Sequence, residues 1–74
     1  MQELMIKLNM VDDVKLFIEE VTNIDADVDL QKNRYVVDAK SIMGVFTLDL
    51  SEPVKVVIHS DDESLIEPFK RWVV

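Results

Sequence analysis

Seventy-four residues leave room for one domain, and a chain this short buries only about 60% of the surface its unfolded form exposes. The apolar fraction of 49% and charged fraction of 31% are those of a globular chain, and the lack of cysteine excludes disulfides and thiolate zinc sites. A net charge of −7 repels phosphate backbones, which argues against nucleic acid as a partner. No apolar run approaches the roughly 20 residues of a membrane helix, and no leader pattern is visible. A cytosolic, cytoplasmic protein is the expectation.

From Glu3 to Asn9, Leu4, Ile6 and Leu8 alternate with Met5 and Lys7, the pattern of a half-buried strand. Val11, Val14, Ile18 and Val21 then recur at helical spacing, with Phe17 widening the stripe. Asn9 is placed to cap that helix, and Asp12 and Asp13 suit its positive end. Ala26, Val28 and Leu30 alternate with Asp27, Asp29 and Gln31 as a second strand. Lys32-Asn33-Arg34 is the turn, because asparagine tolerates the left-handed conformation, and Tyr35-Val36-Val37 begins the return strand. Ser41 caps a short helix, Ile42 to Thr47, which holds the only glycine, Gly44. After the turn Ser51-Glu52-Pro53, Val54, Val56 and Ile58 face inward from a fourth strand. Leu65, Phe69 and Trp72 form the buried stripe of a last helix. Ser64 to Glu67 has capping-box spacing, and Pro68 lies close behind. Strand, helix, strand, strand, helix, strand, helix is the order of an α+β sandwich with an antiparallel sheet.

Few side chains suggest chemistry. His59, the sole histidine, falls by its period on the outer sheet face with Lys55 and Val57, and no nucleophile or orienting partner is recognisable beside it. Asp25, Asp27 and Asp29 open like a calcium loop, but Leu30 stands where the turn glycine belongs and Val36 where the bidentate glutamate belongs. Those acids read as the solvent face of a strand, and neither metal nor cofactor is expected. Gly44 permits close approach to its helix, which suits a packed core or a docked partner.

The order of elements and the segment "DADVDLQKNRYVVDAKSIMGVFTLDL", Asp25 to Leu50, resemble the histidine-containing phosphocarrier protein family, HPr, of the bacterial sugar phosphotransferase system. The resemblance implies that family's open-faced sandwich: one domain over residues 1–74, a four-stranded antiparallel sheet and three helices on one face. K-S-I-M-G-V, Lys40 to Val45, is the distinctive stretch. In the family its serine is phosphorylated by a dedicated kinase, and the helix after it is a docking surface. Ser41 matches that serine. Ile42, Met43, Phe46 and Leu48 would supply the partner-binding patch.

The family's carrier motif is G-[IL]-H-A-R-P-A, between the first strand and first helix. Aligned without gaps, Leu8 to Val14 occupy it, so Met10 stands for the histidine, Asp12 for the arginine and Asp13 for the proline. A thioether cannot accept a phosphoryl group in this chemistry. A carboxylate in place of the arginine repels phosphate by about 1 kcal/mol at 4 Å in water. The resemblance is therefore to relatives of the catabolite-repression type, which lack the histidine, keep the serine and act as phosphoserine-dependent corepressors. Those relatives retain the arginine that Asp12 replaces. The expected protein is no enzyme but a regulatory interaction module. Its partners would be a serine kinase of the HPr-kinase type and a regulator, and it would be a monomer or weak homodimer. A constitutive module or homodimer using the Ile42–Leu48 patch, and an active phosphocarrier, are the competing readings.

Overall fold

The computed structural model describes residues 1–74. The chain runs β1 (Gln2–Ile6), α1 (Val11–Thr22), β2 (Val28–Lys32), β3 (Tyr35–Asp38), α2 (Ile42–Phe46) and β4 (Val54–Ile58), and ends in a 3₁₀ helix (Glu63–Trp72). The four strands form one sheet in the order β1-β4-β2-β3, every neighbour antiparallel. The helices pack on one face of it.

Period-two alternation decides that face. Leu4 pairs with Val56 and Ile6 with Val54, while Val56 pairs with Leu30 and Ile58 with Val28, so these side chains share one side of the sheet. Against them α1 lays Val14, Phe17 and Val21, all buried, at the spacing of one helix stripe. Sixteen buried side chains make a single cluster. At its far end Phe17, Phe69 and Trp72 meet with ring centroids 5.6 to 6.3 Å apart, tilted or edge-on. Such pairs add about 0.5–1.5 kcal/mol each beyond area burial.

Several sequence expectations shift. β1 stops at Ile6, opposite Val54 where β4 begins, and on its other side Lys7 donates its N–H to the Trp72 carbonyl at 2.9 Å while Ile6 bridges Val73; Leu8 is buried outside the strand. The C-terminal residues thus close the Met5–Lys7 end of the outer edge of β1. Asn9 does not cap α1. Met10 takes the extended cap conformation, and the Asn9 amide oxygen accepts instead from Lys7 Nζ at 3.1 Å. The hairpin loop is two residues, Asn33 and Arg34, with Asn33 left-handed at φ 55° as its side chain favours. Lys32 belongs to β2.

The last helix is wound more tightly than expected. Pro68 sits within it, lacks the N–H an α-turn would use and crowds the preceding turn, which favours three-residue winding. Asp62 is its cap, accepting from the Ser64 N–H at 3.0 Å and the Ser64 hydroxyl at 2.7 Å, so the Ser64–Glu67 capping box does not form. Val57 also departs from its pattern. It lies on the outer face in the central strand β4, between Glu3 and Asp29 in register, and is only 2% exposed.

Candidate functional site

The loop between β1 and α1 delivers Met10 to the N-terminus of α1. Its thioether is 66% exposed and carries no titratable nitrogen. One turn in, the Asp13 carboxylate reaches back and accepts from the N–H groups of Asn9 and Met10, each at 3.2 Å. Those amides, at the positive end of a twelve-residue helix, are donors an arriving anion would need. Asp13 already uses them, and the neighbouring Asp12 adds a second exposed negative charge.

The second half of the site is α2. Ser41 adopts an extended backbone and its Oγ accepts from the Gly44 N–H at 3.2 Å, while its carbonyl accepts from the Val45 N–H at 2.9 Å. The cap starts a helix that Thr47 ends, its N–H and hydroxyl both donating to the Gly44 carbonyl. Ser41 is exposed, and its hydroxyl proton has no acceptor in the chain.

A methyl group added at Gly44 would lie 3.4 Å from Val37 Cβ, an ordinary contact, and 3.3 Å from Ser41 Oγ, a tight one. The glycine therefore chiefly spares the capping oxygen of Ser41.

Of the four patch residues, Ile42, Met43 and Phe46 are exposed, Met43 at 78%. Leu48 is not part of the patch. After Thr47 the chain turns inward, and Leu48, three residues beyond Val45 on the same side, joins the core at 8% exposure. Met10 and Phe46 line one shallow groove with Val11, Val14 and Leu50. Met10 and the α2 surface are thus neighbours, although 36 residues separate Met10 from Phe46. Sequence spacing carried no sign of that groove. The Asp13 bonds have a sequence signal, an acid three residues into a helix, the capping-box spacing.

His59 does have an orienting partner. Its Nε2 lies 2.8 Å from Asp29 Oδ2 across the β2–β4 pair, and its backbone N–H donates to the Asp27 carbonyl at 2.9 Å. The two residues are 30 positions apart, so only strand pairing brings them together. The pair stands on the outer sheet face, away from the helices. Of Asp25, Asp27 and Asp29, the last lies within β2 and the other two precede it.

An open-faced α+β sandwich with a helix-start serine beside an apolar surface, and a second helix N-terminus across a groove, is the architecture of the small phosphocarrier proteins. Residues 13–69 match the family described as the PTS HPr component phosphorylation site, and the chain belongs to that family. The match begins at Asp13, beyond Met10 and Asp12. The chain is similar to HPr-C-His from Thermoanaerobacter tengcongensis, at 26% identity and a TM-score of 0.81 over 96% of this chain and 89% of that one. It shares the fold of the phosphocarrier protein HPr of Bacillus anthracis, at 22% identity, TM-score 0.75 and coverage of 99% and 96%. The histidine-containing phosphocarrier protein of Mycoplasma shares it too, at 16% identity, TM-score 0.70 and coverage of 95% and 86%. Comparison with curated proteins found no match. No helix is long and apolar enough to cross a membrane.

Proposed function

We propose that this chain is a non-carrier member of the HPr family, a single cytoplasmic domain that regulates a protein partner through phosphorylation of Ser41. The observation that carries the reading is the exposed Ser41 hydroxyl at the start of α2, beside exposed Ile42, Met43 and Phe46. A phosphate on that oxygen adds about −1.5 to −2 charges at neutral pH next to an apolar contact surface. Its oxygens can still accept from the Gly44 N–H that Ser41 already engages. The modification would thus alter what docks on α2 without removing the cap.

Loss of carrier chemistry is the other half of the proposal. Met10 has no nitrogen to phosphorylate, and Asp13 takes up the Asn9 and Met10 amides beside it. Two carboxylates at that helix start repel a dianion. Because Asp12 stands where corepressor relatives keep an arginine, the reader of a phosphorylated Ser41 would differ from theirs. The partners are then a serine kinase of the HPr-kinase type and a regulator without need of that arginine.

The test is intact-mass spectrometry after incubation with such a kinase and ATP, alongside Ser41→Ala. One added phosphate that vanishes in the variant is expected, with no acid-labile phosphate acquired from the carrier pathway. An unmodified chain would overturn the switch and favour a constitutive module. For that second reading the groove joining Met10 and Val11 to Phe46 is the supporting feature. Acid-labile phosphate on the chain would restore the carrier reading.

A further inference from the structure

The sheet has two edges, and the chain treats them differently. Along β1 the C-terminal residues pair with the strand, through Lys7 N–H to the Trp72 carbonyl at 2.9 Å and Val74 N–H to the Met5 carbonyl at 3.2 Å. The other edge, β3, has nothing beyond it in the chain. Edge strands are ordinarily blunted by proline, a bulge or an outward lysine. Tyr35-Val36-Val37-Asp38 has none of these and is guarded only by its four-residue length and the Asp38 charge, and Tyr35 and Val36 are 63% and 58% exposed.

We propose that β3 is a homodimer seam, where a second copy of this chain adds its own β3 antiparallel and continues the sheet. The register follows from the hairpin. Lys32 and Tyr35 close the two-residue loop and face one another by hydrogen bonding, so Tyr35 and Val37 turn their backbone groups toward β2. Val36 and Asp38 therefore turn theirs outward, although the Asp38 carbonyl already accepts from the Ser41 N–H at 3.0 Å, so Val36 and the Asp38 N–H are the groups left for a partner. Two copies pairing about Val36 set Val36 opposite Val36, Tyr35 opposite Val37, and Arg34 opposite Asp38 twice.

Charge selects that register. Arg34 is in no ion pair within the chain, and the Asp38 carboxylate bonds only the Lys40 N–H at 2.9 Å. Pairing about Val37 instead would oppose Arg34 to Lys40 and Val36 to Asp38, and pairing about Tyr35 would run into the turn. A four-residue seam is small beside the roughly 1,200 Å² or more of stable interfaces, so the dimer is weak and concentration-dependent.

Sedimentation equilibrium of the full chain from about 10 µM to about 1 mM tests it, a range set by the small seam. Reversible dimerisation is expected, with Val36 and Asp38 amides gaining hydrogen-exchange protection as concentration rises. Val36→Pro, which removes a donor facing away from β2, should abolish it while thermal melts confirm folding. Arg34→Asp or Asp38→Arg alone should each weaken it about tenfold or more, and an equimolar mixture of the two should recover it as a heterodimer. A monomer throughout the range would overturn the seam. So would a dimer indifferent to these changes but lost in Met43→Lys, which would put the contact on α2.

Discussion

The Ser41 oxygen that caps α2 is the one the proposal has phosphorylated. As a cap it accepts from the Gly44 N–H, and removal of such a cap costs about 1 kcal/mol. For a domain this size that corresponds to a fall in melting temperature of about 4–8 °C. Ser41→Ala should show that loss, while Ser41→Asp, which keeps an acceptor, should melt near the parent. Differential scanning calorimetry on the three proteins decides it. An alanine variant as stable as the parent would mean that α2 is held by Val45 and β3 packing alone. The comparison also guards the kinase experiment, since a variant with a frayed α2 could escape the kinase for reasons unrelated to the missing hydroxyl. Gly44 tightens the coupling, for a side chain there would crowd the Ser41 oxygen.

Among the elements, the C-terminal 3₁₀ helix is the one whose stability rests on tertiary contacts. Three-residue winding has poor hydrogen-bond geometry and is uncommon beyond three or four residues, yet this run spans ten. Phe69 and Trp72 anchor it against Phe17 of α1, and Arg71 lies 4.3 Å over the Trp72 ring while reaching toward Glu20. Phe69 is fully buried. Phe69→Ala should therefore cost about 3–5 kcal/mol, a large share of the roughly 5–15 kcal/mol that holds such a domain together. A urea titration followed by tryptophan fluorescence should show an early or uncooperative transition, and an unchanged midpoint would show that the helix is dispensable to the core. Loss of this anchor would also free Trp72 to Val74 from the edge of β1, exposing a second open strand.

The molecule as a whole is acidic, and three exposed carboxylates are held below their ordinary range. The Ser51 hydroxyl and then its backbone N–H lower Asp49, and the Ser64 hydroxyl and N–H do the same for Asp62. The amino terminus lowers Asp61, chiefly through its hydrogen bond. A carboxylate whose pKa is lower folded than unfolded contributes stability that is fully present above the unfolded value and is lost as pH falls through the folded one. Stability should therefore hold from neutrality down to about pH 5 and decline below about pH 4, where carboxylates protonate. Urea midpoints measured between pH 7 and 3 check this, both ends being set by the ordinary carboxylate range. A midpoint that rises below pH 4 would mean that relief of the self-repulsion from a net charge of −7 outweighs the lost hydrogen bonds.

Local periodicity made α1, β4 and the hairpin legible before any coordinates, because alternation and the 3.6-residue stripe are properties of consecutive side chains. Asn33 announced its turn and Ser41 its cap for the same reason: each acts on backbone within three residues of itself. The family segment around Ser41 was equally plain, since a motif is by nature contiguous. Other features depended on contacts that no short window contains. The turn after Thr47 sends the apolar Leu48 to the core, and the helix start falls at Met10, so Asn9 bonds Lys7 instead of capping. Pairing of β2 with β4 placed His59 against Asp29, and packing of α1 beside α2 gave Met10 and Phe46 a common groove. Sequence alone thus determined the order of elements, the family and the absence of a phosphorylatable nitrogen at position 10. Which strand edge is closed, which apolar side chains meet solvent and which charges find partners were decided only by tertiary structure. Each of these depends on residues brought together across tens of positions by burial of the shared core.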